Sequence, residues 1–287
     1  MDTAQPQSAT PPTSRRSAPS DGPIKLIAID LDGTLLNSQK QVSDQTAQAL
    51  RCLPEDVRII IASARPPRSV RSFYHALGLS AWQINYNGAL IWDEPAKRAV
   101  YHRPMAGEIA SAIVSMARDM FEEVLVSCEI MDRWYTDRLS DTFTTETGKM
   151  FKPDVIAPIE TFCNQPVTKL MLLGEPKILS RLEPLILQQF GSKVTIVQTD
   201  RDLLQIMDKR VSKAVAVQKV ADHYGIASDQ IMAIGDAPND VGMLQLAGVA
   251  VAMDNASEVV KRVAHWVAPS NDDHGVHAAL VRFGLCP

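Results

Sequence analysis

Two aspartates one residue apart, Asp30 and Asp32, close a mostly apolar run, Ile24 to Ile29, and lead into Gly33, Thr34, Leu35 and Leu36. A short apolar run bounded by a turn signal reads as a strand buried on both faces. Ligands of open α/β sheets bind beyond the carboxyl ends of the strands, so the pair falls where a site is expected. Side chains two apart on an extended segment point the same way. One carboxylate can then attack while its neighbour moves protons. A carboxylate attacking a phosphate ester meets a dianion, and a divalent metal with a lysine is the usual means of neutralising that charge. Asp-Gly is also a common turn pair. The chemical reading therefore requires partners elsewhere: another Asp at a strand end, a Lys and a small hydroxyl donor.

The partners occur. Ile59-Ile60-Ile61-Ala62 runs into Ser63, Ala64 and Arg65. Ile231-Met232-Ala233-Ile234 runs into Gly235-Asp236-Ala237-Pro238-Asn239-Asp240, and Lys213 opens an amphipathic helical stretch between the two. This set, in this order, resembles the haloacid dehalogenase superfamily of phosphatases. Asp-Leu-Asp-Gly-Thr-Leu is similar to its nucleophile motif and Gly-Asp-Ala-Pro-Asn-Asp to its metal motif.

The resemblance implies a role for each residue. Asp30 becomes the nucleophile and carries an aspartyl-phosphate, which splits one difficult displacement into two. Asp32 protonates the leaving oxygen and then deprotonates water, which predicts a pKa tuned upward. Mg2+ is the implied cofactor, a hard cation that takes oxygen ligands and keeps several waters. Its ligands would be the Asp30 carboxylate, the Asp32 backbone carbonyl and the Asp236 carboxylate. Asp240 and Asn239 would hold metal-bound waters or orient Asp236, with Asn239 also close to the phosphate; acids are equally at home at a helix N-terminus.

Ser63 would donate to the phosphoryl oxygens, with the Ala64 backbone beside it. The family pattern there is Thr-Gly-Arg, and Ala64 has less backbone freedom than glycine. Arg65 either reaches substrate or forms a surface ion pair. Lys213, in Val211-Ser212-Lys213, would compensate charge around the nucleophile and the transferring phosphoryl group. Asn87 would contact phosphate or leaving group, although Asn-Gly is also a strong turn pair. His274 reads as a surface loop residue. Arg133, Trp134 and Asp137 read as packing and surface residues ahead of substrate contacts.

These residues need a scaffold. Strand and helix patterns alternate from Ile24 to Gly78, and again from Ser212 to Phe283, which implies parallel βαβ units. Ser43 is placed as a helix N-cap and Pro66-Pro67 as a helix start. Trp82 to Ala89 reads as a third core strand and a turn. Residues 89–205 show mixed strands and helices, with 136–165 polar and ambiguous. The predicted fold is α/β: a Rossmann-like, doubly wound, mostly parallel core over 23–88 and 206–287. The α+β insert over 89–205 resembles the class IIB (Cof-type) cap of the superfamily. Residues 1–22, rich in Pro, Ser, Thr and Gln, read as a disordered tail.

Composition narrows the function. The 287 residues carry a net charge of −4 with scattered cations, which argues against a nucleic-acid footprint. No apolar run approaches a membrane span. The four cysteines lack metal-like or paired spacing, as for reduced thiols in a cytoplasmic protein. The function that the resemblance implies is a Mg2+-dependent phosphatase acting on small phosphate esters, sugar phosphates first. The alternatives are a phosphomutase of the same superfamily and a non-catalytic phosphate-binding regulatory module. Nothing in the sequence specifies an oligomeric state.

Overall fold

The computed structural model describes residues 22–286, so the expected tail lies outside the described residues except for Gly22. The run Leu26–Ile29 forms a strand buried at every position. It pairs in parallel with Arg58–Ile61 on one side and Ile231–Gly235 on the other. Val249–Met253 and Trp266–Ala268 extend the sheet beyond Ile231–Gly235, also in parallel.

The period-two alternation of these strands feeds two separate cores. Ile27, Ile29, Ile61, Ile234 and Val251 pack with the helices Asp44–Arg51 and Gly275–Arg282. Leu26, Ala28, Ile60, Ala233 and Ala250 pack with the helices Lys213–Tyr224 and Val241–Leu246. Helices on both faces explain why the strands read as unbroken apolar runs. The chain steps from Leu26–Ile29 to one neighbour early and reaches the other only near its end. The crevice between those neighbours is the topological switch point where such sheets bind ligands.

Local signals set the helix ends. Ser43 caps Asp44–Arg51 by accepting from the Thr46 amide at 3.3 Å. Pro67 is the first residue of Pro67–Ala76, where its missing N–H costs nothing.

The expected third core strand differs from prediction. Gln83–Asn85 joins an antiparallel sheet with Leu90–Asp93 and Arg98–His102, and one isolated parallel bridge, Ala62 to Ile84, ties it to the main sheet. The cause is local: Asn87 at φ +56° and Gly88 at φ +100° fold the chain straight back on itself. An added Cβ at Gly88 would run into the Ser212 carbonyl, so the reversal can sit against the Lys213 helix only as glycine.

Six further strands form a third sheet in the order Val194–Asp200, Leu203–Asp208, Lys169–Leu173, Leu125–Ile130, Arg133–Thr136, Val155–Ile156. All pairs are antiparallel except the last. The helices Gly107–Met120 and Pro176–Phe190 cover one face. The strand Leu203–Asp208 passes unbroken through the expected boundary at 205/206, because it stays paired with both neighbours along that length. Within the ambiguous 136–165 stretch, Thr145 caps a short helix, Glu146–Met150, by accepting from the Gly148 amide at 3.0 Å. The fold is thus a doubly wound α/β core with an α+β cap.

Candidate active site

Parallel register brings three strand ends to one level: Ile29 lies opposite Ile61 and Ile234, so Asp30, Ser63 and Asp236 emerge together. Gly33, at φ +84°, turns the chain beside them. A Cβ there would lie 2.5 Å from Asp236 Oδ2, so glycine is what lets the two loops close on each other.

The fourth piece is Lys213, the first residue of the helix Lys213–Tyr224, whose cap Ser212 accepts from the Val215 amide at 3.2 Å. A cation at a helix N-terminus opposes the helix dipole. Two carboxylates offset that here. Lys213 Nζ donates to Asp30 Oδ1 and, at 2.6 Å, to Asp240 Oδ1. Its side chain is fully buried. Burial works against the ammonium form, but Asp240 and Asp30 overcome it and hold its pKa above the ordinary lysine value.

Asp240 is spoken for on both oxygens. Oδ1 takes Lys213, while Oδ2 accepts the amides of Asp236 and Ala237, each at 3.0 Å. It therefore fixes both the lysine and the loop that presents Asp236. Asp236 accepts from Thr34 Oγ1 at 2.8 Å.

Asp30, Asp236 and Asp240 each offer an oxygen within 4.8 Å of the others. Burial raises the Asp30 pKa well above the ordinary carboxylate value, Lys213 opposes, and Asp240 and Asp236 add to the rise. Burial also raises Asp236, against the Thr34 hydrogen bond. Three carboxylates share one ammonium, so negative charge is left over. All-oxygen donors with unneutralised charge suit a hard divalent cation, and softer metals would prefer sulfur or imidazole. This donor set fits a divalent metal.

Asp32 departs from expectation. Its carboxylate is gripped by Arg65 through Nε and Nη2, both at 2.6 Å, and by Lys40 Nζ at 2.9 Å. Burial pushes its pKa up, but the bidentate Arg65 and then Lys40 outweigh burial and leave it below the ordinary value. The predicted upward tuning is absent here because the cations that surround Asp32 favour its ionised form. Arg65 is correspondingly neither an exposed pair nor a free substrate ligand; it is 6% exposed and tied to Asp32.

The remaining candidates fall on both sides of the line. Ser63 is buried and its Oγ accepts the Arg65 amide at 3.1 Å. Asn87 Oδ1 accepts from Asn239 Nδ2 at 2.8 Å, while Asn87 Nδ2 is buried without a partner among the described residues. His274 lies elsewhere, against the Ser43 hydroxyl at 2.9 Å. Arg133 stacks on Tyr135, Trp134 bonds Ser127 and Asp137 pairs with Arg118; none of the three lines the site cavity.

That cavity, about 680 Å³, opens over Asp30, Asp32, Ser63, Ala64, Arg65 and Asn239 and is roofed by the six-stranded sheet. Its roof holds residues that sequence reasoning missed. Glu129 accepts from Arg68 Nη2 at 2.6 Å and from the Tyr86 hydroxyl at 3.1 Å. Lys169 Nζ donates to Gln205 Oε1 at 3.2 Å and to the Ala64 carbonyl at 3.4 Å. The available signal was a charged residue inside an otherwise apolar strand, as at Lys169 ahead of Leu170-Met171-Leu172-Leu173.

Residues 27–280 match the family of haloacid dehalogenase-like hydrolases. Phosphatase YwpJ of Bacillus subtilis (strain 168) is 30% identical over 278 residues, covering 88% of this chain and 97% of its own. The 5-amino-6-(5-phospho-D-ribitylamino)uracil phosphatase YitU of the same organism is 28% identical over 270 residues, covering 90% and 97%. A crystal structure of a haloacid dehalogenase-like hydrolase from Bacteroides thetaiotaomicron superposes with a TM-score of 0.82 at 26% identity, covering 90% of this chain and 99% of its own.

Proposed function

This chain belongs to the haloacid dehalogenase-like hydrolases, as a phosphoric monoester hydrolase with a class IIB cap, and from that premise we propose a Mg2+-dependent phosphatase of small phosphorylated metabolites. The observation that carries the reading is one buried ammonium, Lys213, bridging Asp30 and Asp240 beside Asp236 at the switch point of a parallel sheet.

In this reading an Asp30 oxygen bonds to phosphorus as the ester P–O bond breaks, and the leaving oxygen takes a proton from Asp32. Water then gives a proton to Asp32 and its oxygen to phosphorus. Inorganic phosphate departs and the Asp30 carboxylate is restored. Mg2+, held by Asp30, Asp236 and the Asp32 backbone carbonyl, would supply charge neutralisation at the phosphoryl oxygens. Lys213 holds Asp30 in place and offsets its charge; Ser63 and the unpaired Asn87 amide offer donors to the phosphoryl group.

Asp32 needs its acid form for the first step. Arg65 is the chief influence keeping it ionised. A substrate phosphate that draws Arg65 away removes that influence and moves the Asp32 pKa upward, with Lys40 still opposing.

The substrate class follows more loosely. Sugar phosphates are favoured by the sequence resemblance. A relative named for a phosphorylated ribitylamino-uracil extends that class to sugar-alcohol phosphates. The proposal includes a core over 23–88 and 206–287 and a cap over 89–205, with the strand Leu203–Asp208 running across the second boundary, and a cytoplasmic location.

The deciding experiment is hydrolysis of p-nitrophenyl phosphate with Mg2+. Wild type should turn over and Asp30→Asn should lose on the order of 10³-fold or more in kcat. A mutant as active as wild type would remove Asp30 as nucleophile; an inert wild type would leave a phosphate-binding module.

A further inference from the structure

The loop that carries Asp32 is closed at its base by its own backbone and tied at its tip by distant residues. At the base, the amides of Leu35 and Leu36 donate to the carbonyls of Asp30 and Leu31 at 3.2 and 2.9 Å. Gly33 forms the tip at φ +84°, and a glycine peptide can turn more than one way unless something holds it. The hold comes from the C-terminal end of the chain. Asn255, just past the strand Val249–Met253, donates from Nδ2 to the Gly33 carbonyl at 2.8 Å. Its Oδ1 accepts the Asn271 amide at 3.1 Å, so the donor end must be the one that faces Gly33. Asn271 Nδ2 donates in turn to the Leu36 carbonyl at 2.8 Å, and Asp272 Oδ1 accepts the Ser38 amide at 2.7 Å.

These bonds fix the surroundings of Asp32 from two sides. Gly33 follows it in the chain, and Leu36 is bridged to it across the loop. Ser38 lies in the turn that brings Lys40 Nζ onto the Asp32 carboxylate at 2.9 Å. Asn255, Asn271 and Asp272 are not among the residues lining the cavity, so they act through the loop and not on substrate. Asn255 and Asp272 are exposed, and water competes for such hydrogen bonds, so the fold does not depend on them. Catalysis is less forgiving, because a displacement of about 1 Å can cost about 10²-fold in rate.

We propose that Asn255 and Asn271 are positioning residues for Asp32, setting the turn from Gly33 to Leu36 so that the Asp32 carboxyl reaches the leaving oxygen. The inference rests on the acid role given to Asp32 above and deepens it. An alkoxide must take the Asp32 proton as its P–O bond breaks and the bond from Asp30 to phosphorus forms. A p-nitrophenolate is stable enough to leave without that proton. Misplacing Asp32 therefore penalises alkyl esters selectively.

The test is the ratio of kcat/KM for an alkyl ester to kcat/KM for p-nitrophenyl phosphate, with Mg2+. The alkyl ester is whichever of glucose 6-phosphate, ribose 5-phosphate and glycerol 1-phosphate wild type prefers. kcat/KM ends at ester cleavage, so the later use of Asp32 as a base does not enter. Asp32→Asn sets the scale and should lower the ratio about 10²-fold or more, as for a lost general acid. Asn255→Asp keeps an acceptor for the Asn271 amide and loses the donor to Gly33. It and Asn271→Ala should each lower the ratio about tenfold, with p-nitrophenyl phosphate within about threefold of wild type. Asp273→Asn is the control, since that carboxylate accepts from Ser270 within the same loop at 2.6 Å; its ratio should stay within about twofold of wild type. A purely structural role would lower both esters together, and a ratio taken within one preparation cancels any loss of folded enzyme. Unchanged ratios in the two asparagine variants overturn the inference, as does an equal fall in Asp273→Asn. If wild type hydrolyses no alkyl ester, or Asp32→Asn keeps the ratio, the reading of Asp32 as acid in a metabolite phosphatase fails and the inference falls with it.

Discussion

The carboxylate corner of the core and the polar roof of the cap both bury charge, but only the roof balances it. In the roof, Glu129 is matched by Arg68 and a tyrosine hydroxyl, with Lys169 close by. In the corner, Asp30, Asp236 and Asp240 share a single ammonium. A balanced network holds the cap on the core. An unbalanced one stores demand for a cation and a reacting phosphoryl group. The difference separates residues that carry chemistry from residues that carry closure.

Lys213→Met should break the corner hardest. It removes the ammonium that bridges Asp30 and Asp240 beside Asp236, and kcat should fall about 10²- to 10³-fold, the range for deleting one preorganised charge-stabilising group. Steady-state turnover of p-nitrophenyl phosphate reads this directly. A loss under tenfold would mean that the metal alone neutralises the site, and the contrast between corner and roof would weaken.

Arg68→Met tests the roof. The guanidinium is nearly buried and leaves Glu129 with the Tyr86 hydroxyl as its remaining direct partner. Removing one member of a buried pair costs about 3–5 kcal/mol. Urea denaturation should report that loss, while kcat on a small ester falls far less than in Lys213→Met. Equal collapse of both quantities would show that closure and chemistry are one unit.

The sequence shows these two regions unequally, and the reason is geometric. The corner is built from contiguous motifs at strand ends: Asp30 to Thr34, Ser63 to Arg65, and Asp236 to Asp240. Parallel register then brings them level without further information. Buried apolar strands and the Ser43 and Pro67 signals made most of the core readable. The roof comes instead from single residues on three strands, Glu129, Lys169 and Gln205, whose meeting depends on antiparallel pairing that spacing does not specify. The same limit applies to Asp32. Its motif points to a proton carrier, but its pKa depends on Arg65 and Lys40, which arrive from a neighbouring strand end and a loop. Gln83–Asn85 departs from the expected parallel pairing because a short buried strand looks alike in parallel and antiparallel company.

Arg65→Met sharpens the comparison more gently. Asp32 has a folded-state pKa below its unfolded value, so its contribution to stability is present above about pH 3.9 and lost as pH falls through the folded value. Without Arg65 the folded pKa rises, and the acid-side loss of stability attributable to Asp32 shrinks. Urea midpoints between about pH 2 and 5 should therefore fall less steeply in the variant. A steeper fall would place the effect on another carboxylate.

Arg133→Ala should do least. Arg133 is exposed at the start of a cap strand, its guanidinium 5.5 Å from the Tyr135 ring centroid and outside the cavity lining. An exposed cation–π contact is worth about 0.5–1 kcal/mol, so stability should shift by no more than that, and kcat/KM should stay within about twofold. The sheet face that roofs the cavity carries Glu129 and Lys169, and Arg133 pairs across from Ile130, a neighbour packed against the opposite, helix-covered core. Alternation along the strands is what separates the two faces. A tenfold effect of Arg133→Ala on kcat/KM would mean that the cap reads its substrate from both faces, and the separation of a cavity face from a helix-covered face would carry no functional meaning.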